Sequence, residues 1–197
     1  MLPEKGWKVD MISMSLGLDQ RDSEIHAQID LCYKADIAIF AATSNDGGNG
    51  PRMYPSSYDP PVLGIHAATA DGALWPKSPN PEKRDNFMTV GEAVKSARLG
   101  GGHAYESGTS VATVVAVAIA ALMLGYIELN IPTPVSGWST APRTPGGVRK
   151  IFHLMNHGGN RDKRYQWVNP IFFFEKFQHQ PDKMVQDIIG ELNNLGR

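Results

Sequence analysis

Apolar residues fall along this chain in two rhythms. Val9 to Leu16 (VDMISMSL) and Asp36 to Ala42 (DIAIFAA) are short apolar runs, the first ended by Gly17 and the second by Thr43 to Gly48 (TSNDGG). Runs that stay apolar without alternating suit strands buried on both faces. Between them Ile25, Ile29, Leu31 and Cys32 recur at helical spacing, and Asp22 or Ser23 can cap a helix reaching about Lys34. Strand, helix and strand in that order predict a right-handed parallel crossover. Pro61 to Thr69 reads as a third strand, and Asn86 to Val90 and Glu92 to Ala97 as short extended pieces before the glycine-rich Leu99 to His103. Gly72 to Arg84 (GALWPKSPNPEKR) holds three prolines and reads as an exposed loop. Helices are expected from Pro145 to Asn156 and from Pro181 to about Leu195, each opening on a proline that the first turn tolerates. The aromatic-dense Tyr165 to Phe177 is expected to pack rather than to bind. The alternation predicts the α/β class, with a mainly parallel sheet and flanking helices in three layers.

The longest apolar run is introduced by small polar residues: Glu106 to Leu124 reads ESGTSVATVVAVAIAALML. Its core, Val111 to Leu124, falls short of the roughly twenty residues that a membrane span needs. A buried helix remains, and two roles for its first turn stay open. Thr109 or Ser110 caps the helix, or Ser110 is also a nucleophile. Unpaired N–H groups and the positive end of the helix dipole favour negative charge developing beside such a serine. Gly108 before it leaves room for a substrate backbone.

Composition excludes more than it assigns. The chain has 197 residues, 42% hydrophobic and 20% charged, enough for a substantial core. Nineteen basic against twenty acidic side chains leave a formal charge of −1, so neither nucleic acid nor an anionic membrane is an expected partner. The single cysteine, Cys32, cannot form an internal disulfide and has no Cys/His cluster around it, so a buried thiol and no metal site are expected. Gly47 to Gly50 and Gly100 to Gly102 fit neither phosphate-loop spacing, and no cofactor is expected. The first twenty residues lack the apolar core of a secretory signal, and localisation is left open.

Four motifs carry a resemblance. Gly108-Thr109-Ser110-Val111-Ala112-Thr113 is similar to the nucleophile motif Gly-Thr-Ser-x-Ala-(Ser/Thr) of the subtilisin-like serine peptidases. Asp10 to Gly17 (DMISMSLG) resembles that family's Asp-Val-Ile-Asn-Met-Ser-Leu-Gly strand. Ile37 to Gly47 (IAIFAATSNDG) resembles its Ala-Ala-Ala-Gly-Asn-(Glu/Asp)-Gly strand, and Tyr54 to Tyr58 followed by Val62 to Ile65 resembles Tyr-Pro-Ala-x-Tyr then Val-Ile-Ala-Val. They stand in the family's order between Val9 and Leu124. The resemblance implies a partial subtilisin-like domain over residues 1–130, with 131–197 as a helical and aromatic extension packed on it. It implies peptide-bond hydrolysis through an acyl-enzyme on Ser110, with Asn45 as oxyanion donor. Ser15, Leu16, Gly17 and Gly108 would line the groove for a peptide or protein substrate.

The family's aspartate and histidine motifs, which precede the Ser-Leu-Gly strand, are not among the nine residues before Asp10. A triad needs both. The expectation is therefore a weak or inactive chain, with a missing amino-terminal segment or a partner chain as the source of the absent pair. The alternative is a non-catalytic module that binds an extended peptide. His103 lies nearest to Ser110 in sequence but has no orienting group, His66 reads as a core or edge residue, and His153 and His157 as surface or capping residues. Val114, Ala118 and Ser44 stand where the family has proline, glycine and glycine. Ala118 is expected to crowd a packed helix face, and Ser44 to bear strain if its position needs a positive φ.

Overall fold

Nineteen residues separate the first apolar run from the second, and in the computed structural model, which describes residues 8–131, 141–156 and 163–194, they hold a helix that joins two parallel strands. His157 and the expected helix end at Leu195 lie outside the described residues. Strands β1 (Met11–Met14), β2 (Ala38–Ala42), β3 (Val62–Ala68), β4 (Phe87–Val90) and β7 (Gln166–Trp167) lie side by side in that order, every pair parallel. Helix α1 (Ser23–Lys34) makes the first crossover, and the Asp22 carboxylate caps it by accepting from the Glu24 and Ile25 amides at 2.9 Å.

Two apolar layers cover the sheet. On one face α2 (Thr109–Asn130) crosses β1 to β4, and α3 (Pro145–Leu154), α4 (Pro170–Lys176) and α5 (Pro181–Asn193) extend the same core, in which Phe40, Leu63 and Phe87 of the strands meet Ala116, Phe152 and Ile188 of the helices. On the other face α1 packs Ile29 against Ile39, Ala41 and Val62, with Tyr54. The three-layer α/β architecture expected from the alternation is the one observed. Continuous burial of β2 and β3 on both faces explains why those strands read as unbroken apolar runs.

Four details depart from the sequence reading. Residues 92–106 form an antiparallel hairpin, β5 (Val94–Ala97) with β6 (His103–Glu106), set apart from the main sheet. Gly100, Gly101 and Gly102 all have positive φ at its tip, a run of backbone that side-chain-bearing residues resist. Helix α2 continues to Asn130, 22 residues in all, because nothing in LGYIELN breaks a helix. It is therefore long and apolar enough to cross a bilayer, while one of its faces is buried on the sheet. The proline-rich loop is not simply exposed, since Trp75 and Ser78 are buried. The Trp75 N–H donates to the Ala67 carbonyl at 2.9 Å, and the Ser78 hydroxyl pairs with both backbone groups of Ala67. Finally, the aromatic segment packs as expected through Tyr165, Trp167, Phe173 and Phe177, but it does so as strand β7 and helix α4. Asn169 caps α4 at the Ile171 amide, with Pro170 in its first turn.

Candidate active site

Parallel strands converge their carboxyl ends on one rim of the sheet, and here β1 and β2 end beside the amino end of α2. Neither Thr109 nor Ser110 caps that helix. Gly108 is its N-cap residue, without a side-chain hydrogen bond, and its φ of +152° suits glycine. The first free amide of the helix, Thr109 N–H, instead donates to Asn45 Oδ1 at 2.9 Å, so an asparagine from the end of β2 does the capping. The Thr109 hydroxyl, 3.1 Å from the same oxygen and 3.2 Å from the Ser44 carbonyl, ties the two segments again. Sequence reasoning weighed Thr109 only as a cap.

These bonds orient the Asn45 amide. An oxygen that accepts from a backbone N–H must face it, which leaves Nδ2 on the other side, without a hydrogen bond among the described residues and exposed next to Gly108. Ser44 has φ +152°, the positive value at which strain was expected. Its hydroxyl bonds Asp46 twice, donating to the carboxylate at 2.9 Å and accepting from the amide at 3.1 Å, which offsets part of that cost. The expectation for Ala118 is corrected, because the residue lies on the exposed side of α2 and its methyl group crowds nothing.

Ser110 is half-buried in the first turn of α2. Its hydroxyl donates to the Ser15 carbonyl at 3.4 Å, and the Ser15 hydroxyl donates to the Ser110 carbonyl at 2.9 Å. Ser15 and Leu16 are exposed just beyond β1, and Gly17 follows with Met53 so close that an added Cβ would stand 2.8 Å from it. Leu18 then pairs in antiparallel fashion with Tyr54. The structure thus brings Ser110, Asn45, Gly108 and Ser15 together at one rim, with Leu16 and Gly17 continuing along it.

No described histidine hydrogen-bonds to Ser110. His26 stacks on Tyr58 beside Asp30, His103 is exposed at the start of β6, His153 Nε2 lies 3.3 Å from Asp85, and His179 is exposed. His66 is a core residue of β3, 3.1 Å from Arg52 through Nε2 while Nδ1 has no partner. Burial first and the Arg52 charge second hold its imidazole well below the ordinary pKa, hence neutral. Among the described residues no group of three metal-ligating side chains gathers.

The foot of α2 leaves little slack. A Cβ on Gly91 would stand 2.7 Å from the Ala67 Cβ, 2.9 Å from the Ala112 Cβ and 2.8 Å from the Gly108 carbonyl, while the Gly108 N–H already donates to the Gly91 carbonyl. Gly91→Ala is expected to push α2 off β4 and lower stability by about 1–3 kcal/mol. Thermal unfolding checks this, and an unchanged midpoint would mean that the helix foot yields freely.

Comparison with known proteins gives these contacts a context. No family model matches the chain. It is 34% identical over 129 residues to the subtilisin-like protease het-Q2 of Podospora anserina, a match covering 61% of this chain and 35% of that protein. It is 30% identical over 116 residues to the minor extracellular protease Epr of Bacillus subtilis, covering 59% of this chain and 18% of the other. The chain thus spans about a third or less of these relatives. Among solved structures, the S218A mutant of the PatA protease domain superposes with a TM-score of 0.69 at 22% identity, over 87% of this chain and 60% of that one. The prenylagaramide maturation protease PagA superposes with 0.68 at 22%, over 94% and 62%. In sequence over three-fifths of its length, and in fold over most of it, the chain is similar to subtilisin-like proteases.

Proposed function

We propose that this chain carries the nucleophile side of a serine peptidase site. In this reading Ser110 Oγ bonds to a peptide carbonyl carbon and Asn45 Nδ2, with backbone N–H groups at the start of α2, receives the oxyanion. The C–N bond then breaks, the amine leaves with the proton taken from Ser110, and water hydrolyses the ester. The observation that supports this most is the Asn45 amide, held at the helix foot by the Thr109 N–H with its own N–H₂ left free beside Gly108. A donor fixed before reaction costs no reorganisation during it. The run Ser15 to Gly17, exposed at Ser15 and Leu16, offers an extended peptide a wall along the same rim.

Attack needs a base for the serine proton, and the partner of Ser110 Oγ here is a carbonyl oxygen. The chain alone is therefore expected to turn over peptides at best about 10³- to 10⁴-fold faster than water, below the reach of an ordinary assay.

A fluorophosphonate serine probe followed by intact mass tests this. The chain alone should remain unlabelled. Rapid labelling that persists in Ser110→Ala would place the reactive serine elsewhere and sink the assignment. Where a base is supplied and Ser110 is acylated, Asn45→Ala should slow acylation by about 10²- to 10³-fold, and an effect under threefold would remove Asn45 from the oxyanion site. Peptide binding that survives Ser110→Ala yet fails when Ser15 to Gly17 are altered would favour the non-catalytic peptide-binding module.

A further inference from the structure

On the α1 side of the sheet, an open cavity of about 510 Å³ shares no lining residue with the Ser110 rim. Arg52 and Tyr54, both buried, form its floor, and the exposed Arg21 and Ser57 stand at its mouth. A buried arginine needs room, and β3 provides it: a Cβ on Gly64 would stand 2.8 Å from Arg52 Nη1. Arg52 Nη2 donates to Asn86 Oδ1 at 2.6 Å and to the Asp85 carbonyl at 2.9 Å, and lies 3.1 Å from His66 Nε2. Nε and Nη1 have no hydrogen-bond partner among the described residues. The surrounding carboxylates are engaged elsewhere, Glu82 with Arg84, and Asp59 and Asp85 with Arg149. Arg52 is thus a buried cation without an ion pair, an arrangement that destabilises a fold unless an anion answers it.

The mouth repeats the imbalance. Arg21 lies close enough for its charge to act on the Tyr54 and Tyr58 hydroxyls, yet it has no hydrogen bond or ion pair among the described residues. Asp22 is occupied in capping α1, and Asp30 accepts from the Tyr58 hydroxyl at 2.6 Å. Of the lining residues only Asp19, exposed to water, carries a negative charge against the two guanidinium groups.

We propose that this cavity binds a phosphoryl oxyanion, either free phosphate or a small phosphate monoester. A guanidinium presents its N–H groups as a fork that matches phosphate oxygens, and two of them balance a dianion. Ser57 adds a hydroxyl for a further oxygen, and His26, stacked on Tyr58 at 4.0 Å between ring centroids, offers a ring face to the organic part of a monoester. A carboxylate has two oxygens and leaves more of these donors unused, and a cation would meet two positive charges. Occupancy would tie the start of α1 to the turn from Tyr54 to Tyr58. The inference is independent of the reading of Ser110, and its test reads binding rather than turnover.

Isothermal titration of the full chain with inorganic phosphate, against sodium chloride of equal ionic strength, provides that test. One saturable site per chain is expected, and the thermal midpoint should rise with phosphate concentration. Arg21→Gln should weaken binding about tenfold, the loss expected for one charge-assisted contact, while Arg98→Gln on the distant β5–β6 hairpin should leave it unchanged. Both arginines are exposed, so both variants should fold by circular dichroism. Arg52→Lys keeps the charge without the fork and should also weaken binding at least tenfold, and if it does not fold Arg21→Gln decides alone. Phenyl phosphate binding more tightly than phosphate upholds the site and assigns it to a monoester, and equal affinity upholds it for free phosphate. Absence of saturable binding overturns the proposal, as does an equal loss in Arg98→Gln, which would mean only general charge attraction. Acetate binding as tightly as phosphate overturns the phosphoryl class in favour of a carboxylate.

Discussion

Phe152→Ala should destabilise the protein by about 3–5 kcal/mol, the loss expected when a buried phenylalanine leaves a cavity that its neighbours cannot fill. Phe152 is 0% exposed on α3, and its ring centroid lies 5.9 Å from that of Phe40 on β2 and 5.4 Å, edge-on, from that of Phe87 on β4. With Val148 and Ile151 it carries α3 into the core shared by the sheet and α2. Truncation removes the ring and two aromatic contacts at once, and main-chain atoms of a parallel sheet cannot move in to replace them. Urea unfolding provides the measurement, with a lower midpoint and an unchanged slope expected. A loss under 1 kcal/mol would mean that the helices after α2 are attached to the sheet only loosely.

That coupling was partly legible in the sequence. The runs that became β2 and β3 are continuous and apolar because both faces are buried, and such runs announce themselves. Strand β7 is two residues long, and no periodicity can identify a strand that short. The hairpin of β5 and β6 has half-exposed strands whose pairing depends on three positive-φ glycines at the tip, a conformational fact rather than a pattern of polarity. At the rim, the family motifs pointed to Ser110, Asn45 and Ser15 to Gly17, which lie near one another in the fold. The sequence did not reveal that Asn45 caps α2 in place of Thr109 or Ser110. A capping side chain 64 positions away leaves no local trace. Nor did it anticipate that Ala118 faces outward, since helical phase depends on which side meets the sheet.

The second large effect is expected at Arg149, whose role no local pattern announces. From α3 its guanidinium donates to Asp59 at 2.5 Å, to Asp85 at 2.8 Å, and to the carbonyls of Pro60 and Val62 at 2.9 and 3.2 Å. It therefore fastens α3 to the loop leading into β3 and to the residues leading into β4. Arg149→Met keeps the stem's packing but leaves two carboxylates facing each other and two carbonyls without that donor. Uncompensated buried charge costs about 3–5 kcal/mol, and because these side chains retain 11–27% exposure the expected loss is nearer 2–3 kcal/mol. The deficit should depend on pH in a fixed direction. The Asp85 carboxyl is held below its ordinary pKa by its hydrogen bond to His153, against the opposing effect of burial, with Arg149 adding to the lowering. A group whose folded pKa is depressed stabilises fully above its unfolded value, near 4, and that stabilisation is lost as pH falls through the lower folded value. The native protein should thus lose stability below about pH 4, whereas the variant, whose carboxylates repel and are relieved by protonation, should lose less. Unfolding midpoints measured from pH 7 down to pH 3 should therefore converge, and a gap that stays constant across that range would remove Arg149 and Asp85 as the acid-sensitive fastening of α3 to the sheet.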